Sequence, residues 1–268
     1  DYAVTGVQTC ALPIYPSGPW RPRERETVKS DIGRVHRYRK AQERLQAKAH
    51  VELVVCRLDV GPEAVRASAA VLSEDEHERA DRLVAGHTRR RFTVAGARLR
   101  RVLGARLHVR PESVELVYGE RGKPALGRSF ADSGLRFNLS RAGDVAIYAF
   151  STEAEVGVDV EAVRAIPDVD GIATHAFSRR ESVAYCALAE RDKRLGFFNC
   201  WTRKEAFVKA LGKGLSYPLD SFDVSLAPGE PARILRVEHT PGDRCGWALH
   251  SFVPTPGYVG AMVYGGGG

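Results

Sequence analysis

The chain lacks any apolar run near the ~20 residues that a membrane-spanning helix needs; its apolar stretches are strand-length and broken by charge or glycine, so no membrane anchor is expected. Its five cysteines, Cys10, Cys56, Cys186, Cys200 and Cys245, form no CxxC pair and no zinc spacing, and a reducing cytoplasm is the simplest setting. RNP, zinc-finger and basic-zipper patterns are absent as well, which leaves nucleic-acid binding resting on charge alone. That charge is uneven: of the net +7, the first 49 residues hold 10 Lys/Arg against 5 Asp/Glu, leaving 30 against 28 in the rest. The remainder is close to neutral and no nucleic-acid partner is expected. A local basic patch could still steer an acidic partner, because fields act over about a Debye length, ~8 Å at physiological salt.

What is present is a composition of 44% apolar and 27% charged residues over 268 positions, enough for a sizeable core in one domain or two similar halves. Residues 1–14 are set aside, because Val4 to Ile14 can be read as the conceptual translation of a sequencing-adapter oligonucleotide. They also lack the basic n-region and continuous apolar h-region of a signal peptide. Residues 15–49, rich in Pro early and in Arg, Lys, Glu and Gln later, read as a basic extension, disordered or helical, and the packed protein is expected from His50.

Val51 to Leu58 reads as a core strand and Val145 to Phe150 as another, while Ser73 to Leu107 reads as helices, with Ser73 and Glu76 spaced as a capping box. Arg82, Arg89, Arg90, Arg91, Arg98, Arg100 and Arg101 crowd that stretch, and most are expected to be solvated or snorkelling. Gly122-Lys123-Pro124 is a turn in which proline fixes the backbone. Phe137-Asn138-Leu139-Ser140 precedes the second strand, which places Ser140 and Arg141 at the connection between two strands, a position that often carries binding groups. A second capping box, Ser178 to Glu181, opens a helix through Ala189, followed by a helix from Phe197 to Leu211 and a glycine stop at Gly212.

Two segments carry the strongest chemical signal. In Gly157-Val158-Asp159-Val160-Glu161 the valines alternate with glycine and acids, so a strand would put Asp159 and Glu161 on one face. In Trp201 to Lys209 the residues Trp201, Glu205 and Lys209 are four apart and share one helical face. Magnesium is typically held by one or two carboxylates with substrate phosphates and water completing its octahedron, which an acidic strand facing such a helix could supply. Each half alone is commonplace: an acidic strand end is usually solvated, and an i,i+4 Glu-Lys pair is usually a surface pair worth ~0.3 kcal/mol.

Together, G-x-D-x-E, then W-x-x-K-E-A-x-x-K and Gly212-Lys213-Gly214-Leu215 resemble the signature of the Sfp-type 4'-phosphopantetheinyl transferases. Gly122-Lys123-Pro124, Phe137 to Ser140 and Ser216 to Phe222 resemble further short motifs of that family, in its order, and the resemblance spans roughly residues 50–262. It implies an α+β fold of two pseudo-symmetric halves, 50–155 and 156–268, each a small sheet packed with helices around a site at their interface. It also implies a Mg2+-dependent enzyme, with Mn2+ as the alternative ion, that moves phosphopantetheine from coenzyme A to a serine of an apo acyl or peptidyl carrier protein and releases 3',5'-ADP. The setting implied is fatty acid, polyketide, nonribosomal peptide or lysine biosynthesis, and a cytoplasmic monomer is expected.

By the same resemblance Asp159, Glu161 and Glu205 would hold the metal, and Lys209, Lys204, Ser140 and Arg141 would meet the phosphates of coenzyme A. Arg141 stands where the family commonly has histidine, and its permanent charge and planar donor fork could keep the role. Lys123 and Pro124 are expected near the adenine, and Arg79 and Arg91 align with the family's basic residues for the terminal phosphate. The base for the carrier serine is Glu205, Glu181 or a metal-bound water, although Glu181 also suits a plain helix cap. The reading of another class is a coenzyme A-binding or carrier-binding module without chemistry, whose mark would be a broken acid triad; all three acids are present.

Overall fold

A computed structural model describes residues 35–38, 50–119, 123–214, 217–238 and 246–265. The readings of residues 1–14, of most of 15–49, and of Gly122, Leu215, Cys10 and Cys245 fall outside them. Within the expected extension, Val35–Tyr38 is a strand, β1, rather than disordered chain or helix.

The described residues form an α+β fold of two compact units. In the first, β2 (Val51–Arg57) leads into α1 (Pro62–Ala69), α2 (Glu74–Asp81) and the long α3 (Gly86–Leu107). A hairpin of β3 (Leu116–Tyr118) and β4 (Pro124–Leu126) and then β5 (Arg136–Ala142) and β6 (Val145–Ser151) follow. The four-stranded sheet runs β1-β2-β6-β5. Leu53, Val54, Cys56, Leu99, Leu103, Ile147 and Tyr148 are buried in this unit, and Tyr148 donates its hydroxyl to the Ala95 carbonyl at 3.3 Å.

In the second, β7 (Glu155–Ala162) leads into α4 (Val169–Ala176), α5 (Arg179–Cys186) and the long α6 (Glu190–Leu211). The hairpin of β8 (Phe222–Val224) and β9 (Ile234–Val237) follows, then β10 (Trp247–Phe252) and β11 (Tyr258–Gly265). The antiparallel sheet runs β10-β11-β7, with Asp159 opposite Ala261 and Glu161 opposite Val259. The two halves thus repeat one order: strand, two eight-residue helices, a 22-residue helix, a short hairpin and two strands.

Both capping boxes form: Ser73 with Glu76 and Ser178 with Glu181. Two helix boundaries differ from expectation, since α5 ends at Cys186 and α6 starts at Glu190 rather than Phe197. Glu190 and Asp192 in the first turn of α6 suit the positive end of its dipole, so the helix continues well upstream of the apolar run. At its other end Gly212, with φ 69°, takes the left-handed conformation that a glycine adopts without penalty. Ser140 and Arg141 lie inside β5 rather than in a connection, because the turn falls two residues later at Gly143, with φ 51°.

Candidate functional site

The acids of β7 face α6. Gly157, Asp159 and Glu161 share one side of the strand, and a Cβ on Gly157 would fall on the Ala206 carbonyl oxygen and the Ala210 nitrogen of α6. Only a glycine lets helix and strand approach this closely. The register then places Lys209 Nζ 2.6 Å from Asp159 Oδ1. Asp159 and Glu205 are buried and Glu161 partly so. Trp201 stacks on Phe197 one turn earlier on the same helix, with centroids 6.0 Å apart and planes 18° apart, and packs against the apolar core.

Electrostatics mark this cluster as strained. Burial first, then the neighbouring Asp159, pushes the Glu161 carboxyl up to about 7, against the pull of Arg164 and Lys209. Burial likewise raises Glu205, with Lys209 opposing and Asp159 adding to the shift. Glu205 Oε1 is buried with no hydrogen-bond partner. Among the described residues no three acid, histidine or cysteine side chains converge closely enough to ligate a metal as they stand. The donor set nonetheless suits a divalent cation: crowded carboxylates, one with an orphaned oxygen, favour more positive charge than Lys209 and Arg164 supply.

Two expected site residues are not there. Lys204 is 1% exposed, and its ammonium meets Leu219 O, Phe222 O and Glu181 Oε2, each at 2.7 Å, and lies 4.1 Å from the centre of the Phe222 ring. Its three protons are used, so it is not a phosphate ligand. Glu181 is 2% exposed; Oε1 accepts from Val224 N at 2.7 Å, and Oε2 accepts from Ser178 N at 2.8 Å and pairs with Lys204. It is a cap and a buried counter-ion, not an available base.

In the first unit the expected coenzyme-binding residues fall into two groups. Arg79, Lys123 and Pro124 gather at the β3–β4 hairpin: the Arg79 guanidinium lies 3.7 Å from the centre of the Tyr118 ring, and Tyr118 pairs across the hairpin with Pro124. Gly119 N donates to Lys123 O at 3.1 Å to hold the hairpin together. Arg91 instead reaches the β5–β6 turn, where its Nε donates to Asp144 Oδ1 at 2.8 Å, on the hairpin that carries Ser140 and Arg141.

Sequence reasoning found Glu76 only as a helix cap and missed Tyr118 and the pairing of Glu76 with Arg100. Arg100, expected at the surface, is 3% exposed, with Nε 2.5 Å from Glu76 Oε2 and a terminal nitrogen 2.9 Å from Val114 O. Arg98 is buried as well. The available signal was the repeated Ser-x-x-Glu box, since a cap glutamate in each half asks for a cation on the long helix beside it.

A profile of the 4'-phosphopantetheinyl transferase superfamily matches residues 155–262, from the start of β7 into β11. The 4'-phosphopantetheinyl transferase HetI of Nostoc sp. is 38% identical over 200 residues, 75% of this chain and 81% of that protein. The 4'-phosphopantetheinyl transferases ffp of Bacillus subtilis and Sfp of its strain 168 are 30% and 29% identical over 192 residues, each covering 71% of this chain and 81% of the relative. The acids of β7 and the Glu205–Lys209 face of α6 lie inside the profile match, and the chain belongs to the 4'-phosphopantetheinyl transferase superfamily.

Proposed function

We propose that the protein transfers 4'-phosphopantetheine from coenzyme A to a serine of an apo acyl or peptidyl carrier protein, releasing 3',5'-ADP. The observation that carries this reading is the cluster of three carboxylates and Lys209 between β7 and α6, in the segment that matches the family. Asp159, Glu161 and Glu205 would hold Mg2+, or Mn2+ in its place. Bound there, the ion would neutralise the pyrophosphate and make 3',5'-ADP a tolerable leaving group.

The rest follows from the chain's own groups. The carrier serine oxygen attacks the phosphorus nearest the pantetheine, and the bond from that phosphorus to the oxygen of 3',5'-ADP breaks. Lys209, already held by Asp159, is a preset positive charge for the phosphates. The serine proton would pass to a water held by the ion or to Glu205, whose Oε1 has capacity to accept. Glu181 has none left. Arg79, Arg91, Lys123, Pro124, Ser140 and Arg141 form the remaining coenzyme contacts in this proposal.

The working form we propose is a cytoplasmic monomer. Cys56, Cys186 and Cys200 are free thiols, and no helix among the described residues is long and apolar enough to cross a membrane. The test is incubation with coenzyme A, Mg2+ and a panel of apo carrier proteins, followed by intact mass of the carrier. A gain of one phosphopantetheine that requires Mg2+ supports the reading; no gain on any carrier favours a binding module without chemistry.

A further inference from the structure

Tyr118 belongs to neither the acid cluster nor the sequence motifs, yet it links a buried network to a half-buried cation. Its hydroxyl donates to Glu76 Oε1 at 3.0 Å, and the other oxygen of Glu76 takes Arg100 Nε at 2.5 Å and Ser73 N at 3.0 Å. Arg100 is in turn fixed to the carbonyl of Val114 at 2.9 Å. The side chain therefore cannot swing out of place without breaking a bond to a buried carboxylate. Burial, with Glu76 beside it, drives the ionisation of the phenol far above its usual range, so it stays a donor.

On the outer face of that ring lies Arg79, with its carbon 3.7 Å from the centroid and one terminal nitrogen 3.2 Å from Asp75 Oδ2. Its side chain remains 34% exposed. A guanidinium held over an aromatic face and tethered on one side is restrained before a ligand arrives, and its remaining donors can take a phosphate bidentately. An untethered arginine would instead have to be ordered when the phosphate arrives, which weakens binding. Lys123 sits next to Pro124, the cross-strand partner of Tyr118, so a second cation adjoins the platform.

We propose that Tyr118 is a positioning residue that presets the Arg79 guanidinium as a receptor for the terminal 3'-phosphate of coenzyme A. This rests on the transferase reading above. The probes are coenzyme A and 3'-dephospho-coenzyme A, compared by steady-state kinetics in the intact chain and in the variants Arg79→Ala, Tyr118→Leu and Tyr118→Phe, with thermal melts of each.

The intact chain is expected to have the lower KM for coenzyme A. Arg79→Ala and Tyr118→Leu are expected to remove most of that preference, with Tyr118→Leu raising KM for coenzyme A roughly five- to tenfold at little change in kcat. Tyr118→Phe keeps the ring but loses the tie to Glu76, and is expected to retain part of the preference. Loss of preference in Arg79→Ala but not in Tyr118→Leu overturns the role of Tyr118. So does an equal fall in kcat with both donors for Tyr118→Leu, which marks a merely structural residue. If Arg79→Ala keeps the preference, the phosphate role of Arg79 fails and that of Tyr118 with it. Transfer from neither donor by the intact chain would instead sink the transferase reading.

Discussion

In the first half Glu76, third residue of α2, caps its own helix and meets Arg100 of α3 at 2.5 Å; in the second Glu181, third residue of α5, caps its helix and meets Lys204 of α6 at 2.7 Å. The braced cation stands fourteen residues past the start of the long helix in both, from Gly86 to Arg100 and from Glu190 to Lys204. All four side chains are buried. A pair repeated at equivalent places belongs to the scaffold. What distinguishes the halves is what each brace adjoins. The spare oxygen of Glu76 fixes Tyr118, beside the half-buried Arg79, whereas that of Glu181 ends on the backbone of Val224. Next along the long helix comes Arg101 in one half and Glu205 in the other. We infer a division of labour on a common frame: cations for coenzyme binding in the first half, carboxylates for chemistry in the second.

The largest effect that would break the comparison is loss of a brace. Lys204→Met and Arg100→Met each leave a buried carboxylate without its partner and should cost about 3–5 kcal/mol, measured by chemical denaturation. Lys204→Arg, which copies the first half's choice, should recover part of that loss. A surface-sized loss of about 0–1 kcal/mol for Lys204→Met would show that the pair is not a brace.

The second half should also carry a pH dependence of its own. In the folded chain Glu161 titrates at about 7, above its ordinary 4.5, so unfolding releases its proton between those values. Without divalent cation, stability is therefore fully present below about 4.5 and falls as pH rises through about 7. Thermal melts from pH 4.5 to 8 in chelator should show this fall, and Glu161→Gln should flatten it. A rise across the same window in the intact chain would contradict the crowded-acid picture.

The smallest effect sharpens the likeness. The residue after α3 is His108 at φ 58°, where α6 has Gly212 at φ 69°. His108→Gly should stabilise the first half by about 1 kcal/mol by relieving the left-handed penalty, read as a higher melting temperature.

Much of the fold could be read locally. Alternating valines defined β7, the Ser-x-x-Glu boxes fixed the starts of α2 and α5, and i,i+4 spacing put Glu205 and Lys209 on one face. Lys204 was assigned to coenzyme A by the family resemblance, yet adjacent helical residues point about 100° apart, so Lys204 and Glu205 could not both face one site. It turns to Glu181, Leu219 and Phe222, partners brought together only by tertiary packing. Arg100 was hidden in the same way, since nothing in a run of arginines says which one will find a buried glutamate 24 residues upstream.

The division of labour is tested most directly by steady-state transfer from coenzyme A to one apo carrier by Glu205→Gln and Arg79→Ala, side by side with the intact chain. Glu205→Gln should lower kcat roughly 10²–10³-fold, as loss of one charge-stabilising group in a preorganised site does, while Arg79→Ala should raise KM for coenzyme A with kcat nearly unchanged. A kcat that survives in Glu205→Gln, or collapses in Arg79→Ala with KM unmoved, would contradict it.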